Sequence, residues 1–218
     1  MRRALLILLA SSTAHAAPCE SEKLAAATHA AWGVDNLTTL DCRPIHAARP
    51  LLLVQAALDE NGKAVPLASG LTRYAAVLDP ATDEVWWHRE GYAGTPGNQS
   101  TFALADLDRD GRDELIEHMT HEGHEGTGSE HLFVYRVGDG EVREAGSLEL
   151  GMFGLARMAE QNGCRGTWAI VGGPGNVPRV QVVGVREHDK RLAAPPETCP
   201  LDGTHRYRWT GTGFALAD

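Results

Sequence analysis

The sequence predicts a mainly all-β fold, built of antiparallel hairpins, with one N-terminal helix. Three observations carry this. Apolar runs of strand length recur along most of the chain. Gly, Pro and Asp turn residues separate them in pairs. A helical apolar stripe stands out over 20–32. The 218 residues are 43% hydrophobic and 22% charged, which excludes a wholly disordered or collagen-like chain.

The first segment is expected to lie outside the fold. Arg2 and Arg3, the apolar run 4–10 and the ending Ala14-His15-Ala16 have the format of a secretory signal peptide over 1–16. The run is far shorter than the roughly 18 residues that spanning requires. Cleavage near Ala16 would leave one secreted domain, 17–218, with no membrane insertion. The layout suits a bacterial periplasmic or secreted protein. Cys19, Cys42, Cys164 and Cys199 then read as two disulfides. Pairing of sequence neighbours, Cys19–Cys42 and Cys164–Cys199, is the expectation; no two cysteines have zinc-type C-x-x-C spacing.

In the helix, Ser21 can cap the start, Gly33 can end it, and Leu24, Ala27, Ala31 and Trp32 form the stripe. The run 51–58 has strand length. A hairpin follows, with 73–78 and 84–87 around Asp79-Pro80-Ala81-Thr82-Asp83. The same device recurs at 131–137 and 141–142, at 167–171 and 180–185, and at 205–209 and 214–216. The Gly-rich stretch 91–97 is a candidate boundary between two sheets. The Pro-rich stretch 186–204 is irregular.

Residues 106–117 are the most informative segment. Asp106, Asp108 and Asp110 alternate, and Gly111 follows. Calcium takes about six to eight oxygen ligands. Alternating carboxylates can turn their oxygens to one centre, while glycine permits the sharp turn. This spacing predicts a Ca2+ loop. The segment resembles the calcium-loop repeats of FG-GAP and VCBS proteins, which build integrin-α-like β-propellers. The resemblance implies side-chain ligands at Asp106, Asp108 and Asp110, a carbonyl ligand at Arg112, and closure by Glu114. It implies no more than a reduced or incomplete propeller-like arrangement, because the chain cannot hold seven blades. An EF-hand is the competing scheme. There Glu117, at the twelfth loop position, would close the site. Gly94, Pro96 and Gly97 leave little room for an entering helix, so the β-type loop is preferred.

His118, His121, His124 and His131 follow, with Glu122 and Glu125 among them. They lack H-E-x-x-H spacing and read first as an exposed polar loop. A metal-dependent hydrolase using 118–131 is the enzymatic alternative. Trp86, Trp87 and Tyr92 could stack on a sugar, but core packing is the simpler reading, with the adjacent tryptophans pointing opposite ways. The net charge of −9 argues against nucleic acid as a partner. No phosphate-binding or nucleophile-elbow motif occurs. The expected role is non-catalytic: calcium-stabilised binding or scaffolding toward a protein or glycan ligand.

Overall fold

The computed structural model describes residues 17–18, 22–33, 41–59, 61, 63–67, 72–90, 99–122, 128–153, 164–186 and 202–217. The signal segment 1–16, Cys19, Tyr92, His124, Glu125 and Cys199 lie outside the described residues. Among those described, the elements are β1 (Ala17–Pro18), α1 (Glu22–Trp32), β2 (Asp41–Ile45), β3 (Leu51–Leu58), β4 (Ala64–Val65), β5 (Thr72–Asp79), β6 (Glu84–Glu90), β7 (Gln99–Ala105) and β8 (Glu114–Glu122). They continue with β9 (Gly128–Gly138), β10 (Glu141–Phe153), β11 (Cys164–Gly172), β12 (Pro178–Arg186), β13 (Gly203–Trp209) and β14 (Phe214–Ala217). The fold is mainly β with one helix, as the alternating runs predict.

The strands form three antiparallel sheets, each a meander. The first has the body β2-β3-β5-β6, with the two-residue strands β1 and β4 attached. The central sheet runs β10-β9-β8-β7 and the third β11-β12-β13-β14. The change of sheet falls between β6 and β7, across the Gly-rich stretch 91–97. β2, β7 and β8 have apolar runs that are short or interrupted by charge, so local pattern alone does not mark them as strands.

The sheets stack face to face. Leu53, Ala75 and Val77 of the first sheet pack on Phe102, Leu115 and Tyr135 of the central one. The opposite face of the central sheet gives Ile116, Leu132 and Val134 to a second core, shared with Val180, Val182 and Trp209 of the third. Burying each such side chain is worth about 1.5–3 kcal/mol. The outer face of the first sheet is covered by α1. Trp32 lies against Val54, Ala76 and Leu78, and its indole N–H donates to the Ala75 carbonyl at 3.2 Å. β3 is therefore covered on both faces, which explains its unbroken apolar run.

The three meanders stack like successive propeller blades but do not close. Both ends of the stack are unsuited to a further apolar blade. The helix occupies one end, and the outer face of the third sheet carries Arg206 and Arg208 as exposed side chains. Terminal repeats of solenoids likewise carry a polar outer face.

The adjacent tryptophans depart from the expectation. A register shift in the β5–β6 ladder pairs Val77 with Trp87 and Leu78 with Val85. Trp86 is the extra residue of this bulge, so simple alternation fails there. Both rings pack against the core between the first two sheets. Trp87 stands edge-on to Phe102, with centroids 6.1 Å apart. The Arg49 guanidinium covers Trp86 at 4.2 Å.

Candidate metal centre

The acidic segment is the loop of the β7–β8 hairpin. Its backbone is wound by its own carboxylates. Asp106 Oδ2 accepts the Gly111 N–H at 3.0 Å. Asp108 Oδ1 accepts the Asp110 N–H at 3.3 Å, and Asp110 Oδ1 accepts the Arg112 N–H at 2.8 Å. These Asx-type turns require left-handed residues: Arg109 has φ 65° and Gly111 φ 86°. Only glycine adopts the second without steric cost.

Asp106, Asp108 and Glu114 come together. Each offers one carboxylate oxygen, and these oxygens lie within 4.8 Å of one another. Asp106 Oδ1 is buried and accepts no hydrogen bond. Glu114 is buried at the start of β8, and its Oε2 accepts the Leu107 N–H at 2.7 Å. Burial, opposed in part by that hydrogen bond, pushes the Glu114 carboxyl up to about 7, and Asp108, Asp110 and Asp106 push the same way. Three carboxylates held this close repel one another until a cation or proton is added. An all-oxygen set is suited to a hard cation, so this group could bind a metal ion.

Asp110 and Arg112 lie in the same loop but outside that group. Asp110 is exposed and turned to the Arg112 N–H. Glu117 is elsewhere, and the EF-hand expectation is corrected. Both flanks of the loop are strands, so an EF-hand's helices are missing from either side. Along β8, Glu114 and Glu117 also face opposite sides of the sheet. Glu117 is fully buried between the first and central sheets. Its Oε1 accepts from Ser100 Oγ at 2.7 Å and from Arg89 Nε at 3.2 Å. Its Oε2 accepts from the Tyr135 hydroxyl at 2.7 Å. Burial, reinforced by the carboxylate, pushes the Tyr135 hydroxyl well above its usual range. Burial alone would lower the Arg89 guanidinium, but Glu117 outweighs it and raises it.

The loop also touches all three sheets. Asp113 bonds to His46, beyond β2 in the first sheet; His46 N–H donates to Asp113 Oδ2 at 2.8 Å. Arg136 of β9 reaches Asp108 Oδ2 at 3.2 Å. Arg109 donates to the Gly175 carbonyl, in the β11–β12 turn, at 2.7 Å. A cleft of about 400 Å3 opens beside the loop, lined by Arg112, Glu114, Arg136 and Arg143 among others. No local motif announces these partners, because each is distant in sequence: Arg136 is brought in by the pairing of β9 with β8, and His46 and Gly175 by the stacking of sheets.

The histidines are divided. His118 shares a face of β8 with Ile116 and stands edge-on to Trp168, with centroids 6.1 Å apart. Burial lowers its imidazole below the usual value. His131 pairs with Met119 in the β8–β9 ladder, so it shares the opposite face with His121. These three side chains are thus not arranged around one centre.

Cys42 is disulfide-bonded. The β1–β2 ladder sets Ala17 beside Cys42; Cys164 opens β11, but its side chain is outside the described ones. Among the described residues no helix is long and apolar enough to cross a membrane. No protein-family model matches the chain, and no curated protein matches its sequence.

Proposed function

We propose that this chain is an exported, disulfide-stabilised β module whose β7–β8 loop binds calcium, and that its role is non-catalytic binding or scaffolding. The observation that carries the calcium reading is the grouping of Asp106, Asp108 and Glu114, together with the buried, unpartnered Asp106 Oδ1. In this reading the loop is of FG-GAP/VCBS type. Asp106, Asp108 and Glu114 hold the ion, with Asp110 and the Arg112 carbonyl as further ligands. The ion neutralises the mutual repulsion of the carboxylates and fixes a loop that braces three sheets. Its work is structural. The signal segment and the pairings Cys19–Cys42 and Cys164–Cys199 complete the proposal, placing the protein in the periplasm or outside the cell.

Calorimetry and thermal melts test it. Extracellular calcium modules bind at roughly 0.1–1 mM. At about 10 mM calcium, mass action then raises stability enough to lift the melting temperature by roughly 3–10 °C. Asp108→Ala removes most of that rise. Absence of both binding heat and any change in melting temperature in the wild type defeats the calcium reading.

A further inference from the structure

We propose that the free edge of the third sheet, strand β14, takes up an extended acidic peptide as an added strand. This names a partner class for the binding role above, and it does not depend on the calcium loop. Among the described residues, β14 pairs only with β13 and ends the sheet. An edge strand presents unpaired backbone groups that an extended chain can complete.

Two features beside this edge select the chemistry. On the inner side, Leu216 is 66% exposed; Ile170, at 37%, is the other large apolar side chain exposed among the described residues. On the outer side stand Arg179, Arg206 and Arg208. Their placement follows from alternation: Val180, Val182, Tyr207 and Trp209 face the core, so the residues between them face out. Arg179 and Arg208 lie one position beyond the Val180–Tyr207 pair, on adjacent strands. Arg206 follows two residues before Arg208 on the same strand.

Among the described residues these arginines have no acidic neighbours on their face. No outward position of β11 to β14 carries Asp or Glu, although the chain as a whole has a net charge of −9. None of the three is in an ion pair among the described residues. Arg206 Nε donates to Gln181 Oε1 at 3.1 Å and Arg179 Nη1 to the Pro178 carbonyl at 3.2 Å. Among the described residues their other guanidinium donors have no partner. Like charges on neighbouring strands repel, and an added carboxylate relieves that repulsion.

The spacing suits a strand beside β14. Adjacent strands lie about 4.8 Å apart. Between the arginines of β13 and the edge stand only Ala215 and Ala217, opposite Arg208 and Arg206. Their methyl groups leave room for the guanidinium groups to reach over β14. An added strand with alternating acidic and apolar residues would turn its acids to the arginines and its apolar side chains to Leu216. Arginine suits this role because its fork binds carboxylates through two hydrogen bonds. Among the described residues the outer face offers no aromatic side chain for base stacking, as single-stranded nucleic acid needs. A second copy presenting the same edge would set arginine against arginine, which opposes self-pairing.

The test uses the folded full chain and three probes: a blocked Glu-Val-Glu-Val-Glu-Val-Glu peptide, the same peptide with Lys for Glu, and heparin. Anisotropy at low salt should show the acidic peptide binding and the basic one not binding. Amide shifts on titration should concentrate at 214–217. The Arg206→Glu/Arg208→Glu variant should invert the preference; if it does not fold, Arg208→Gln should weaken the acidic peptide at least threefold. Binding should persist with calcium chelated, so a missing calcium transition leaves this result readable. Failure of the acidic peptide at millimolar concentration overturns the proposal. So does equal binding by the reversed variant, heparin binding alone, or shifts confined to another region.

Discussion

Asp113 and His46 bind each other through both backbone and side chain. The Asp113 N–H donates to the His46 carbonyl at 2.7 Å, and Asp113 Oδ2 takes the His46 N–H at 2.8 Å and faces Nδ1 at 3.0 Å. One residue before β8, this contact fixes the end of the acidic loop to the turn between β2 and β3. The position of Glu114 therefore depends on the first sheet as well as on its own hairpin.

Asp113→Ala removes the carboxylate and leaves the His46 N–H without it. The expected cost is about 0.5–1.5 kcal/mol, the net worth of a hydrogen bond whose donor water can still reach. Urea unfolding should report it. Calcium affinity should fall too, although Asp113 lies outside the three-carboxylate group. Unchanged stability and affinity together would show that the two loops are not coupled.

Glu114 and Glu117 should separate cleanly. Glu114→Gln weakens calcium binding but, in chelator above about pH 7, should not lower stability, since it removes a buried charge. Glu117→Gln leaves calcium binding nearly intact but destabilises the fold by roughly 1–3 kcal/mol, since the buried Ser100 and Tyr135 hydroxyls lose a charged acceptor. Tyr135→Phe strips one hydrogen bond from the same carboxylate and should cost about 1–3 kcal/mol. Calorimetry and chemical denaturation on the three variants decide the assignment. A calcium defect confined to Glu117→Gln would reverse it.

The acidity of Glu114 gives a pH signature. Without a cation, its folded-state pKa of about 7 lies above the ordinary value of 4.5. The folded state then holds the proton more tightly than the unfolded state. Its contribution is full below about 4.5 and is lost as pH rises through about 7. In chelator, melting temperature should fall across that window more steeply in the wild type than in Glu114→Gln. Calcium must displace the proton, so its stabilising effect should be larger at pH 8 than at pH 5.5. A calcium shift independent of pH would place the ion away from Glu114.

Gly166 sits where the third sheet packs tightly on the central one. A Cβ there would stand 2.6 Å from the Leu150 carbonyl oxygen and 3.1 Å from Val182 Cγ1. Backbone cannot yield as a flexible side chain can. Gly166→Ala should cost roughly 1–3 kcal/mol, the scale of overpacking, and melts would show it. Gly213→Ala, where no atom lies within 4 Å, is the matched control.

The sequence by itself determined the β class, the recurrent hairpins, the terminal helix and the acidic loop. These are local properties: apolar runs, turn residues and the Asp106-Asp108-Asp110-Gly111 spacing act within a few residues of one another. Tertiary structure decided the rest. Glu114 joins Asp106 and Asp108 because β8 begins there, and Glu117 leaves because side chains alternate across a strand. The bulge at Trp86 overrides that alternation, so two neighbouring rings enter one core. Arg136 reaches the loop through the pairing of β9 with β8; His46 and Gly175 meet it only once three sheets have stacked. Their partnerships arise from burial of the faces between sheets, a driving force without direction along the chain, and short-range patterns carry no record of it.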